Sequence, residues 1–185
     1  MKKIIILFLL CVLVGVISLL GCNQNKKHTI DAQGRDNEIS FGIYLVTDKT
    51  VPTWKLNGIS LDKLQLASDP IISEKDIIEY NKNTHVIKLV PGVLQRFPDK
   101  PNELPFVIIA NGKRCYFGAF FSLLFSKGRH FPVIFIHPEP PQDLPVNCIR
   151  IERYALNWKA LGPSKDPRTD SRIMECLDKL GKLKK

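Results

Sequence analysis

The sequence predicts an α+β fold: one domain built on a mostly antiparallel or mixed sheet, with a few helices, one of them C-terminal. Three observations lead there. Short segments rich in β-branched and aromatic residues recur from residue 39 onward. Two of them flank an Asn-Gly pair, the strongest short-range hairpin signal. The last twenty residues carry a capped apolar stripe at helical spacing.

Taken in order, "ISFGIYLV" (39–46) reads as a strand. "VPTWKLNGIS" is loop-like, with Asn57-Gly58 as a turn signal, and "LDKLQLA" (61–67) is short and ambiguous. Ser73 followed by Glu74 and Asp76 has the form of a helix start, because a serine cap and early acidic residues satisfy and complement the first turn. Ile77, Ile78 and Tyr80 would then form the buried side of that helix. "THVIKLV" (84–90) alternates as a strand does, and "PGVLQRF" is a short turn or helical piece.

"LPFVIIANGKRCYFGAF" predicts a hairpin, about 106–110 with 113–118. Both central residues of a type I′ turn need positive φ, which Asn and Gly tolerate best. "PVIFI" (132–136) is a further strand, a proline-rich loop "HPEPPQDLP" follows, and "NCIRIERY" places Ile149 and Ile151 on one face of another. At the C-terminus Asp166 or Thr169 caps a helix, Pro167 suits its first turn, and Gly181 ends it. Ile173, Cys176, Leu177 and Leu180 make its apolar stripe.

The N-terminus is organised differently. Lys2 and Lys3 precede an apolar run from Ile4 to Leu20, broken only by Gly15 and Ser18. Then come Leu19-Leu20-Gly21-Cys22 and the polar "NQNKK". A positive start, an apolar stretch and a small residue before a break are the layout of an export signal. The run is also at the short end of the roughly 17–25 residues that can span a bilayer, so an uncleaved anchor is the alternative reading. In either reading the positive end stays cytoplasmic and the following residues are delivered outside. Leu-x-Gly-Cys resembles the lipobox of bacterial lipoproteins. That resemblance implies cleavage between Gly21 and Cys22, removal of residues 1–21 as a signal peptide, and acylation of the Cys22 thiol. The protein would then be a lipid-anchored membrane protein facing outside the cytoplasm, each buried methylene of its acyl chains contributing roughly 0.8 kcal/mol.

Residues 22–37 form the acylated N-terminus and a polar tether spanning on the order of 20 Å as a coil. Residues 38–185 form the single domain. "PFVIIANGKRCYFGAF" and "DPRTDSRIMECLDKLGKL" resemble segments of uncharacterised extracytoplasmic lipoproteins of Gram-positive bacteria. That group has no assigned activity, so the likeness implies location and a one-domain layout and transfers no catalytic residue.

Charge and composition bound the partners. The chain carries +9, and loss of Lys2 and Lys3 would leave +7. Outside the cell the polyanions available are phospholipid head groups and wall polymers, and a basic protein binds such surfaces with little discrimination. Nucleic acid is not an expected partner, since the chain has no aromatic RNA-binding signature and no clustered recognition helix. A scattered positive surface with no dedicated partner accounts for the same composition. Cys11 lies in the signal and Cys22 would carry lipid, leaving Cys115, Cys148 and Cys176. Cys115 and Cys148 pair only if their strands are neighbours, and buried free thiols are otherwise expected; Cys176 reads as a small buried residue on the helix.

Motifs for chemistry are sparse. Ser60-Leu-Asp-Lys63 has Ser-x-x-Lys spacing, but its Ser-Asp-Asn and Lys-Thr-Gly companions are missing. His130, His137 and Glu139 are metal-ligand types at a spacing that matches no helical or hairpin clip, so no metal and no cofactor is expected. His85 alternates with Ile87 and Leu89 and reads as a hydrogen-bonded, partly buried histidine. Asp76 with Glu79, and Asp166 with Asp170, sit at helix starts, where capping accounts for them. "YFGAFFSLLFSKGRHF" (116–131) is rich in rings, and Phe117, Phe120, Phe121 and Phe125 are the expected partner or ligand surface if they exceed what the core buries. The alternative is that they are the core. Pro138, Pro140, Pro141 and Pro145 offer a second docking segment or a plain connector.

The expected function is therefore a tethered, non-enzymatic binding module for an unknown protein, envelope polymer or small ligand. The alternatives are a small hydrolase acting on envelope material and a metal- or solute-binding lipoprotein.

Overall fold

The computed structural model describes residues 39–48, 53–97, 103–122, 131–137, 143–153 and 165–184. Nine strands make one mixed sheet: β1 (Phe41–Leu45), β2 (Ile72–Ser73), β3 (Ile77–Asn81), β4 (Val86–Leu89), β5 (Glu103–Ala110), β6 (Lys113–Ser122), β7 (Val133–His137), β8 (Cys148–Glu152) and β9 (Leu183–Lys184). Their order is β2-β1-β5-β6-β7-β8-β4-β3-β9. β6–β7 and β3–β9 are parallel pairs and the others antiparallel.

The β5–β6 hairpin is the spine of the sheet. Asn111 and Gly112 have φ of 49° and 71°, both positive as the tight turn demands. Ala110 pairs with Lys113, and the ladder runs to Glu103 opposite Phe121. Its register shifts between Ile108 and Ile109, leaving Cys115 as the extra residue of a β-bulge between Arg114 and Tyr116. The strands outrun the expected 106–110 and 113–118 at their open end.

One apolar core is shared by all the long strands. Phe41, Ile43, Tyr80, Ile87, Leu89, Phe106, Ile108, Phe120, Ile134, Ile149 and Ile151 belong to it. The α-helix α1 (Ser171–Lys179) adds Ile173, Cys176 and Leu177, with Leu180 half-buried beside them. This is the predicted stripe, and Gly181 with φ of 67° ends the helix. The start differs from expectation. Asp166 caps only a 3-10 turn, Pro167–Thr169, and Asp170 caps α1 by accepting from the Arg172 N–H.

The segment after Ser73 is not a helix. Ser73 N–H and Oγ–H both donate to Asp76 Oδ2 at 2.8 Å, but the turn they close is a single 3-10 turn, Glu74–Asp76. The chain then leaves as β3, in which Ile77 and Tyr80 are buried and Ile78 is exposed. The piece read as a short turn or helix is a 3-10 turn, Val93–Arg96, and the loop-like and ambiguous stretches before it hold two more, Thr53–Gly58 and Leu61–Lys63. Among the described residues α1 is the single α-helix, so the fold is richer in sheet than the sequence suggested. No helix among them is long and apolar enough to cross a membrane.

Cys115 and Cys148 are not neighbours, because β7 lies between their strands; both are free and buried, as is Cys176. Gly118 occupies a tight place in the sheet. A Cβ there would lie 2.5 Å from Phe106 Cζ and 2.6 Å from the Pro132 carbonyl, where β7 joins in parallel. Replacing Gly118 with Ala is therefore expected to cost about 1–3 kcal/mol through overpacking. Urea unfolding of the variant measures it, and an unchanged midpoint would contradict this packing.

Candidate functional site

The two halves of the outer sheet face are treated differently. Over β5 and β6, Leu56 and Leu64 cover Val107, with Ile109 and Phe117 packed at the margin. Arg114 fastens this layer by donating to the Leu61 and Leu64 carbonyls. Along β6 and β7 a further cluster joins Ala119, Phe121, Phe131 and Val133, flanked by Phe117 and Phe135. A sheet buried on both faces has room for more rings than a one-sided sheet, which answers the aromatic excess in the sequence. Phe120 lies in the inner core at 4.8 Å from the Phe106 ring and 4.7 Å from Phe97. Phe121 is fully buried in the outer cluster, and Phe117 is half-buried, 5.2 Å from Phe131. Phe125 lies outside the described residues.

Over β3, β4, β8 and β9 the outer face is open among the described residues. A shallow depression of about 320 Å³ is lined by Glu79, Asn81, Val86, Lys88, Cys148 and Lys184, together with Thr84 and Pro145. Strand alternation places these side chains outward: Glu79 lies opposite Lys88 and Lys88 opposite Cys148, while Tyr80, Ile87 and Ile149 point into the core. Lys184 Nζ stands 3.1 Å from Glu79 Oε1, an exposed pair that contributes little to stability. Next along the face, Arg150 pairs with Asp143 at 2.7 Å and Glu152 at 3.5 Å. Val146 is 84% exposed, beside Asn147, whose φ is 59° and whose carbonyl accepts from the Leu89 N–H at 2.8 Å. The depression thus offers apolar floor atoms, two ammonium groups and one carboxylate to a ligand.

Behind this face lies a buried polar cluster. His85 belongs to the β3–β4 turn rather than to β4, with φ of 54°. Asn81 shapes that turn, its Oδ1 accepting from the N–H groups of Asn83 (2.9 Å) and Thr84 (3.2 Å). His85 is hydrogen-bonded through Nδ1 to the Tyr80 hydroxyl at 2.8 Å, and its carbonyl accepts from the Ile151 N–H at 3.0 Å. Arg168 binds the other side of Ile151, donating to its carbonyl at 2.8 Å. The same guanidinium grips Asp166 with Nε 3.0 Å from Oδ1 and Nη2 2.7 Å from Oδ2.

The charges follow from these contacts. Burial pushes the His85 imidazole below its ordinary range, and Arg168 adds to the effect against the opposing charge of Asp166. Burial also raises the Tyr80 and Tyr116 hydroxyls. For Asp166 burial opposes ionisation, but the Arg168 hydrogen bonds outweigh it and hold the carboxyl low. Asp76 behaves likewise, with burial overcome by Arg96 at 2.9 Å and by Ser73. All three thiols are raised, chiefly by burial.

The remaining sequence-derived sites fall as follows. Ser60 is exposed and precedes the 3-10 turn that holds Lys63. His137 ends β7, and its side chain lies outside the described residues, as do His130, Glu139, Gly21, Cys22, Pro138, Pro140 and Pro141. Among the described residues no three His, Cys, Asp or Glu side chains gather as a metal site. The sequence reading did not single out Lys88, Lys184, Tyr116 or Arg168. Alternation in "VIKL" and "CIRI" was the available signal that Lys88 and Cys148 share the face opposite the core. Comparison with protein-family models, curated proteins and solved structures returns no match.

His85 generates a pH prediction. Its pKa is lower folded than unfolded, so the unfolded chain binds the extra proton first. The stability this contributes is intact above the unfolded value near 6.5 and declines as pH falls toward the folded value. Asn at position 85 tolerates positive φ, can bond Tyr80 and does not titrate. His85→Asn should therefore flatten the fall in urea midpoint below pH 6.5, down to where the carboxylates begin to protonate. An unchanged pH profile would contradict a buried neutral His85.

Proposed function

We propose that this chain is an extracytoplasmic lipoprotein, anchored by acylated Cys22, whose folded domain is a non-enzymatic binding module. The anchoring half of this reading rests on Lys2-Lys3, the apolar run and Leu19-Leu20-Gly21-Cys22. The binding half rests on one observation: among the described residues the shifted groups are moved away from neutral pH. Acid–base and nucleophilic catalysis use groups whose pKa is tuned toward the working pH. Here Asp76, Asp166 and Asp170 are held ionised, while Tyr80, Tyr116 and the thiols are held neutral. The neutral imidazole of His85 fixes a turn. These are the values of a scaffold.

The surface that such a scaffold presents is the open half of the sheet. Its mix of apolar floor and charged groups, with Val146 projecting beside it, suits a protein segment or an envelope polymer carrying both apolar and charged groups.

Two measurements test the two halves separately. Fatty-acid label should enter the wild-type chain and be lost in Cys22→Ala; continued labelling of the variant contradicts the anchor. A photo-crosslinker at Val146 in intact cells should give a discrete adduct that one at exposed Lys179 does not. Equal capture at both positions contradicts the assignment of the face.

A further inference from the structure

Two buried thiols, on elements far apart in the chain, lie beside the tip of the β5–β6 hairpin. Cys115 is the bulged residue of β6, with its Sγ 3.4 Å from the Lys113 carbonyl. Cys176 lies on the buried side of α1, and its Sγ donates to the Ser40 carbonyl at 3.2 Å. Ser40 is itself fastened to the hairpin tip. Its carbonyl accepts from the Asn111 N–H at 2.8 Å, and its own N–H donates to Asn111 Oδ1 at 3.3 Å. One helical turn before Cys176, Arg172 donates to the carbonyls of Cys115 at 3.3 Å and Arg114 at 3.2 Å. Residues four apart lie on one side of a helix, so the long Arg172 side chain ties the Cys176 side of α1 to the bulge that holds Cys115. Both side chains belong to the inner core, and their thiols reach the backbone of adjacent residues at the hairpin tip, Cys115 that of Ala110 and Cys176 that of Asn111. Cys148 stands apart, two strands away and opening onto the outer depression.

We propose that Cys115 and Cys176 are a latent disulfide pair, a thiol–disulfide exchange site that fastens α1 to the β5–β6 hairpin under oxidising conditions. The oxidant is a low-molecular-weight disulfide. The thiolate of Cys115 attacks one of its sulfurs and displaces the other as a thiolate, which takes up a proton. Cys176 then loses its proton and attacks the Cys115 sulfur of the mixed disulfide, displacing the second reagent thiol. Two protein thiols are oxidised and one reagent disulfide is reduced to two thiols. Cys115, 9% exposed, is the point of entry, since Cys176 has no accessible surface. Burial pushes the Cys115 thiol up to about 11, so thiolate is scarce at neutral pH and exchange into the folded chain is slow there. The bridge would close the chain between residues 115 and 176, joining the C-terminal helix covalently to the spine of the sheet. This gives the C-terminal segment a redox-dependent hold, independent of whether Cys22 carries lipid.

The experiment avoids the access barrier by forming the bridge during folding. The reduced full chain and its Cys148→Ser variant are unfolded, refolded at pH 8.5 in a buffer of reduced and oxidised glutathione, trapped with iodoacetamide, digested and mapped by mass spectrometry. In both proteins the expected result is a linked pair of peptides containing Cys115 and Cys176 in most folded chains. In Cys115→Ser, Cys176 should be recovered alkylated. The proposal is overturned if Cys115 and Cys176 are recovered alkylated in most folded chains of the first two proteins. Predominant pairing of either with Cys148, Cys11 or Cys22 also overturns it.

Discussion

Ile173, Cys176 and Leu177 bind the two ends of the sheet to one core. α1 rests on β1 and β5, near one end of the strand order, and the chain then continues as β9 beside β3 at the other end. Tyr80 N–H and Lys82 N–H donate to the carbonyls of Lys182 and Lys184, completing that link. Fully burying an aliphatic side chain contributes about 1.5–3 kcal/mol, so Ile173 and Leu177 alone are worth roughly 3–6. A domain's whole stability is about 5–15 kcal/mol. By this comparison the C-terminal segment is a structural member and no appendage.

That closure explains where polar groups can be buried. Arg168 and Asp166 enter on the segment leading to α1, and their fork anchors Ile151 of β8 while His85 holds the same residue from the β3–β4 turn. Arg168 thus has an opposite charge and a carbonyl beside it, and Asp166 accepts from that guanidinium, the pairing under which burial is tolerated. Burial sets the direction of the His85 shift, and the Arg168 cation adds to it. On its outer side the sheet divides, among the described residues, into a covered half and an open half. Ring stacking and apolar layers protect β5, β6 and β7, and the charged, shallow face of β3, β4, β8 and β9 is left for contact.

Much of this was legible in the residues, and the exceptions have physical causes. Asn111-Gly112 declared its turn because few residue pairs accept two positive φ values. The stripe Ile173, Cys176, Leu177 declared α1. Residues 73–81 misled, since the Ser73–Asp76 cap starts a 3-10 turn as readily as an α-helix. The register shift between Ile77 and Glu79 then inserts Ile78, so that Ile77 and Tyr80 are buried three apart within a strand. A bulge of this kind imitates helical spacing. β2 and β9, two residues each, are too short for any period to show. The outer depression was hidden because it depends on β4 and β8 becoming neighbours, a long-range pairing that no local pattern encodes. The nearness of Cys176 to Cys115 was hidden for the same reason.

The claim on which the account turns is that α1 and β9 complete one cooperative core. Native-state hydrogen exchange measures it residue by residue. Amides in the middle of α1 should exchange with the same free energy as those of β5 and β6, through global unfolding. Exchange of α1 at a much lower free energy, with the β5–β6 hairpin still protected, would contradict it.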